Sequence, residues 1–400
     1  MKKLLFCALA GMMFIACQNE ELKTVANEDV ITQAKVTSQV IPGKYVVIYN
    51  NTGIQRTSRI ASISGTTTIT PTHVLALTKQ ILTESGLDLR TPELTYSSAV
   101  KGVVLQLTEN EAIELAKSSS VKGVYPDMMV NFGLPEVSIK GKPIAPAPAQ
   151  SIPWGITRIG GSSDGSGKTA WIIDTGIDLT HPDLNVDQVR GRNFVNTTYT
   201  PNDDNGHGTH CAGIVAALNN NIGVVGVAAG ATVVPVKVLN KKGEGTMSAI
   251  IAGIDYVAAN VKAGDAVNMS FGGGVYQPLD DAVLNLAAKG AKIAIAAGNE
   301  SQNSNNCSPA RVNGANIYTI SAMGTGDLWA SYSNYANPPI DFCAPGSSIY
   351  STYKGGTYAT LSGTSMATPH VCGILLLGNI QTNGYVKNDP DGNADPIAHK

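Results

Sequence analysis

Charge is what this 400-residue chain has least of. Asp, Glu, Lys and Arg together make up 14% of it, against about 25% in an ordinary globular protein. The 28 basic residues do not outnumber the 30 acidic ones, and the formal net charge is −2. A nucleic-acid surface needs an excess of Lys and Arg, so that class of partner is excluded. Cysteine is scarce, six in all. Long apolar runs are missing too: Leu4–Ala16 is too short to cross a bilayer. What is abundant is hydrophobic residues, 43%, and glycine, 42 in number. That combination implies a large buried core with many tight turns and close backbone approaches.

The N-terminus reads as an export signal, residues 1–17. Lys2 and Lys3 form its basic end and Leu4–Ala16 its apolar body. Cys17 follows Phe14-Ile15-Ala16 and resembles the bacterial lipobox cysteine, which is acylated and becomes the new N-terminus; an ordinary cleaved signal is the alternative. Lipidation at Cys17 would tie the protein to a membrane, at the outer membrane or cell surface; otherwise it is periplasmic or secreted. Residues 18–40 are polar and unpatterned and read as a tether. With Cys7 and Cys17 in the signal, Cys211, Cys307, Cys343 and Cys372 remain. Cys211 and Cys372 fall in apolar helical patterns and read as buried thiols. Cys307 and Cys343, both flanked by loop residues, are the pair we would expect to form a disulfide in an exported protein.

Residues 41–131 alternate strand and helix patterns. KYVVIYN and VVLQL read as strands, HVLALTKQILTES as a helix, and TENEAIELAKSS opens with Thr108 and Glu111 in capping-box spacing. VKGVYP closes the unit, with room for a further strand near Leu94–Ala99. Residues 132–149 are rich in Pro and Ala and read as an extended, exposed linker. From residue 150 to 400 apolar strands (TAWIID, TVVPVKVL, AVNMSF, KIAIAAG, NIYTISA) alternate with helical segments. Strands buried on both faces and separated by helices predict an α/β fold: three layers, a mainly parallel sheet with helices on each side.

In such a sheet, reactive groups collect beyond the carboxyl ends of the strands. WIIDTGID ends a buried strand on Asp174, and DDNGHGTHCAGIVAALN starts a helix at His207 after a Gly-rich turn. GTSMATPHVCGILLLGNI places Ser365 at the start of an apolar helix, with Pro369 assigned to its first turn. A serine there is most often a plain cap. The positive end of a helix dipole beside it, however, favours developing negative charge.

Taken together, DTGID, NGHGTHCAGI, AAGN and GTSMATPHV resemble the subtilisin-like serine proteases, over roughly residues 150–380. The resemblance implies Ser365 as nucleophile, His207 as general base and then acid, and Asp174 as the group that orients and stabilises the imidazolium. It implies Asn299 as the side-chain donor of the oxyanion hole. Ser270, Phe271 and Gly272 would line one side of a peptide-binding cleft, with Gly243 and Gly245 on the other, so that protein or peptide substrates add as a strand. The pocket floor would lie near residues 306–310. A structural Ca2+ is implied at LNNNIGVVGVA, held by the side chains of Gln150, Asp183 and Asn220 and the carbonyls of Leu218, Ile222 and Val224. No organic cofactor is implied. Residues 41–131 resemble the family's propeptide, a small α+β ferredoxin-like chaperone and inhibitor that would be the enzyme's own partner, with self-processing in the linker. The enzyme is expected to be monomeric.

Several residues carry plainer readings. His181 and His370 are expected to be structural. His207 and His210 lie three apart, but no Glu follows the first and no third ligand is identifiable, which disfavours zinc. Two function classes remain: an exported endopeptidase made as a zymogen, and a catalytically silent, propeptide-blocked binding or scaffold lipoprotein.

Overall fold

Residues 35–50, 69–135 and 147–400 are described by a computed structural model; the signal, Cys17 and most of the tether lie outside the described residues. The first unit runs β1 (Thr37–Tyr49), α1 (Pro71–Glu84), β2 (Leu94–Tyr96), β3 (Gly102–Gln106), α2 (Glu109–Ala116) and β4 (Val121–Asn131). Its strands lie in the order β4–β1–β3–β2, all neighbours antiparallel. The strand expected near Leu94 is present. Thr108 caps α2 as its sequence spacing predicts: Oγ1 accepts the Glu111 amide at 3.3 Å, and the Glu111 carboxylate accepts the Thr108 amide at 2.7 Å.

Alternation along β1 and β3 splits their side chains between two cores. Val47, Tyr49, Val103 and Leu105 pack under α1 and α2. Val46, Ile48 and Val104 face the other way, into the core of the following domain. At about 1.5–3 kcal/mol for each large aliphatic side chain buried, that second face is a substantial adhesive. Two sequence expectations need correction. Residues 37–40 are part of β1, paired to Asn131, Val130, Met129 and Met128, because the strand needs that length to match β4. The 132–149 linker is likewise anchored at its ends: Phe132 and Leu134 are buried, and the Pro148 carbonyl accepts the Gly223 amide at 2.7 Å.

The larger domain is built on β5 (Thr169–Asp174), β6 (Thr232–Lys237), β8 (Ala266–Met269), β9 (Lys292–Ala296), β10 (Ile317–Gly324) and β11 (Ile340–Pro345). They lie in the order β11–β10–β9–β8–β5–β6, all parallel. Each strand is buried on both faces. Ala170 and Ile172 meet helices α3 (His207–Ala216) and α6 (Thr364–Leu377), while Trp171 and Ile173 meet α4 (Met247–Asn260) and α5 (Gln277–Ala287). The polar C-terminal stretch forms a hairpin of β12 (Gln381–Tyr385) and β13 (Pro396–His399), and β13 extends the sheet beside β11.

The two domains are joined by reciprocal carboxylates that the sequence did not flag. Asp255 on α4 accepts the backbone amides of Ser97, Ser98 and Ala99 at 2.9, 2.8 and 2.6 Å. Asp127 of β4 accepts the Ser248 amide at 2.9 Å and its hydroxyl at 2.6 Å, at the N-terminus of α4. There the helix dipole favours a carboxylate. The Val100 amide adds a fourth contact at 3.4 Å, so removing the Asp255 side chain strands four donors at a largely buried contact. Asp255→Ala is therefore expected to lower the urea-unfolding stability of the intact chain by at least about 2 kcal/mol. A loss under about 0.5 kcal/mol, the scale of an ordinary surface change, would show that the clamp contributes little.

Candidate active site

Asp174 ends β5, and its backbone carbonyl accepts the amides of Val238 and Leu239 just beyond neighbouring β6. His207 opens α3 next to it. Gly206 precedes it with φ +116, and a Cβ there would fall 2.2 Å from the Tyr353 ring. At Gly208 a Cβ would meet the Gly176 carbonyl at 2.1 Å. Both glycines let the helix start hard against the strand end. Asp203, buried, fixes this turn by accepting the amides of Asn205, Gly206 and Thr209 and the hydroxyls of Thr175 and Thr209.

The result is a closed carboxylate–imidazole pair. His207 Nδ1 donates to Asp174 Oδ1 at 2.8 Å and lies 3.0 Å from Oδ2, with both side chains shut off from solvent. Burial opposes protonation of His207, but the Asp174 carboxylate outweighs it and holds the imidazole well above the ordinary histidine range. Its other nitrogen, Nε2, is buried without a hydrogen-bond partner. His210 and His370 are held neutral by burial, at about 3 and about 4. His210 Nε2 lies 3.1 Å from both the Ile349 and Ala359 carbonyls, turned away from any metal shared with His207. His370 Nδ1 donates to the Met366 carbonyl at 2.8 Å, and His181 Nε2 to that of Thr357 at 3.0 Å.

Ser365 sits in the first turn of α6, almost fully buried. Its hydroxyl donates to the Ser270 carbonyl at 2.9 Å rather than to His207. A serine rotates freely about one bond, and such contacts commonly tighten only when substrate binds. Pro369 corrects the sequence reading: it is the sixth residue of the helix, not part of the first turn. Lacking an N–H, it cannot donate four residues back. The Ser365 carbonyl instead accepts the Ser270 hydroxyl at 2.9 Å and the Cys211 thiol at 3.5 Å. A helical bond is exchanged for two tethers that hold the serine turn to the residue just past β8 and to α3.

Asn299 follows β9. Its Oδ1 accepts both the amide and the hydroxyl of Thr364, at 2.8 and 2.9 Å. A backbone N–H can only donate, so these bonds decide which end of the amide is oxygen and leave Nδ2 as the end not held by Thr364. Thr364 was not singled out from sequence, although its place beside Ser365 was the available signal.

The cleft is filled from within the chain. β7 (Glu244–Thr246) pairs antiparallel with β4, Gly245 opposite Val130, and the Phe132 amide donates to the Gly243 carbonyl at 3.2 Å. The Phe132 ring packs on Phe271 with centroids 5.3 Å apart. The void left beside Ser365, Asn299 and Gly272 holds only about 10 Å³ and is closed by Phe132, Gly133 and Leu134. Gly133 has φ +56, and its amide donates to Asn131 Oδ1 at 3.0 Å, so the backbone bends in the cleft instead of running straight through. Residues 306–310 do not line this void; Cys307–Ser308 pairs with Gly273–Gly274.

Around the expected cation loop the side chains of Gln150, Asp183 and Asn220 are engaged in hydrogen bonds. Gln150 Nε2 donates to the carbonyls of Leu218 and Val224 at 2.9 and 3.3 Å, and Asn220 Nδ2 to Asp183 Oδ1 at 2.8 Å. Asn220 Oδ1 accepts the Ile222 amide at 2.7 Å. Burial raises the Asp183 carboxyl above its ordinary range, only partly offset by hydrogen bonds from Val224, Asn220 and Tyr358. The expected Cys307–Cys343 bridge is absent: all four described cysteines are free and buried. Cys307 Sγ accepts from Gln302 and Asn334, while Cys343 packs with Met323, Val386 and Ile397.

Residues 165–383 match the Subtilase family. Alkaline serine exoprotease A of Vibrio alginolyticus is 36% identical over 313 residues, 76% of this chain and 56% of that protein. Subtilisin Savinase of Lederbergia lenta is 40% identical over 255 residues, 60% of this chain and 91% of that protein. A solved cold adapted subtilisin-like serine proteinase is 33% identical with a TM-score of 0.54, covering 62% of this chain and 97% of the other. The chain thus spans little more than half the length of the Vibrio protein. From the match over residues 165–383 and the likeness to these relatives, the chain belongs to the subtilase family.

Proposed function

We propose that the protein is a serine endopeptidase that hydrolyses peptide bonds through an acyl-enzyme and is made as a self-inhibited, self-processed zymogen. The observation that carries this is the buried Asp174–His207 pair, with Nε2 unclaimed and the Ser365 turn beside it. Ser365 Oγ attacks the scissile carbonyl as its proton passes to His207 Nε2, and the same proton then goes to the leaving amine. Asp174 stabilises the imidazolium. The Asn299 amide and the Ser365 backbone N–H receive the oxyanion, a donor of this kind being worth about 3–4 kcal/mol in the transition state. Protein substrates add as a strand along Gly243–Gly245, the place now taken by β4. Residues 41–131 act as the propeptide, and the chain is exported, with a lipid anchor on Cys17. The silent scaffold reading draws on the filled cleft and on the Ser365 hydroxyl turned to Ser270.

A fluorophosphonate probe separates the two. The processed protein is expected to be labelled on Ser365, whereas Ser365→Ala stays full length and unlabelled. Absence of labelling after the propeptide is removed would establish the scaffold.

The general base works only as neutral imidazole. Because Asp174 holds His207 above the usual range, the proton is lost at higher pH than from a free histidine. Labelling should therefore rise with pH along a limb centred above about 6.5, the ordinary histidine value. A limb centred below that contradicts the pairing.

Calcium suits the loop around Asp183, an all-oxygen donor set once the Gln150 and Asn220 amides present their oxygens. Bound there, it would supply the positive charge that the buried carboxylate lacks. Chelator should shorten the inactivation half-life of the processed enzyme at least several-fold on heating, because ligand binding to the folded state adds stability. An unchanged half-life would remove calcium from this loop.

A further inference from the structure

Among the described residues, Lys237 is the only lysine or arginine that is buried, at 4% exposed. It ends β6, directly across the parallel register from Asp174 at the end of β5. Residues in register on neighbouring strands share a face of the sheet, so the two side chains issue together toward α3, continuing the alternation of Ile172 and Val233. They do not pair with each other. The Asp174 carboxylate takes His207 and the Thr175 amide, while Lys237 reaches past the strand ends. Its Nζ donates to the Thr175 carbonyl at 2.5 Å, to Asp204 Oδ1 at 2.7 Å and to the Leu239 carbonyl at 3.0 Å. All three donors of the ammonium are thereby used.

Those acceptors lie on the three pieces of chain that meet at the Asp174–His207 pair. Thr175 follows Asp174, and its hydroxyl oxygen accepts the Gly208 amide of α3 at 2.9 Å. Leu239 donates its own amide to the Asp174 carbonyl at 3.2 Å. Asp204 stands in the turn that launches His207. A lysine is almost never fully buried unless paired. Here the pairing carboxylate is half exposed, so the desolvation of the cation is only partly offset, and an apolar side chain of similar size would fill the space at lower cost. What an apolar side chain could not do is place a positive charge beside the pair.

We propose that Lys237 is a positioning residue for the Asp174–His207 pair: its ammonium ties both strand ends to the turn before α3, and its charge limits how firmly His207 holds a proton. This rests on the endopeptidase reading. Around His207 the titratable groups are Asp174 from β5, Asp203 and Asp204 from the turn, Cys211 and His210 from α3, His370 from α6 and Lys237 from β6. Burial keeps His210 and His370 neutral and the Cys211 thiol protonated. The carboxylates favour the imidazolium. Lys237 opposes them, helped by the partly exposed Lys354, whose Nζ donates to the Asp204 carbonyl at 2.7 Å.

Peptide hydrolysis by the processed enzyme as a function of pH tests this. Lys237→Met, close in size and uncharged, should lower kcat at least about tenfold with KM little changed, because the pair is misplaced rather than the substrate released. With the cation gone the imidazolium is favoured further, so the rising limb of kcat/KM should move up by at least about half a pH unit. Lys237→Arg keeps the charge and should return the limb to the parental position. Asp204→Asn, at a half-exposed side chain, removes a carboxylate instead and should move the limb down. If Lys237→Met does not mature, the Asp204→Asn shift decides alone. A limb that stays in place in these variants, or a Lys237→Met loss carried by KM, would overturn the proposal. A parent that takes no fluorophosphonate would instead sink the endopeptidase reading, and this role with it.

Discussion

Everything the site can do depends on one charge-assisted hydrogen bond, between the Asp174 carboxylate and His207 Nδ1, formed where water does not compete. Both partners are shut from solvent, so their attraction is undiluted by the high dielectric outside. That bond fixes the tautomer: with Nδ1 donating to a carboxylate, a neutral ring must present Nε2 as an acceptor. The fold is arranged to make it. A parallel sheet delivers Asp174 at a strand end, and two close-packed glycines start the helix of His207 beside it. Asp203 then holds the intervening turn with five hydrogen bonds.

The serine turn is held by a different device. Most helices satisfy their carbonyls internally, but Pro369 removes the donor that Ser365 would use. The freed carbonyl is claimed by Ser270, just past β8, and by Cys211 of α3. The residue that looks like a defect in α6 is what lets two other parts of the chain grip one residue. Thr364 does the same for Asn299 by dictating the orientation of its amide. These contacts are not in the catalytic list a sequence motif supplies, yet they set where its members point.

Most of the sheet and the motif-bearing turns could be read from the sequence because their signals are local. TAWIID and KIAIAAG announce strands buried on both faces, and Thr108 with Glu111 announces a helix start. The misses share a physical cause: they depend on partners distant in the chain. Residues 37–40 looked like tether because only pairing with β4 makes them a strand. Cys307 and Cys343 looked like a bridge by their loop flanks, but each is taken up by its own surroundings. Asp255 carries no local signal of its own. Its role appears only when the turn at Ser97–Ala99, more than 150 residues earlier, arrives above it. The bend at Gly133 had no local cue beyond the glycine itself.

The four-stranded sheet of the N-terminal unit is sandwiched, helices on one side and the larger domain on the other. Val46, Ile48, Tyr96 and Val104 have no cover of their own. Separation of the halves would bare a broad apolar plane on the smaller one, so whatever parts them leaves that piece without the cover its fold relies on.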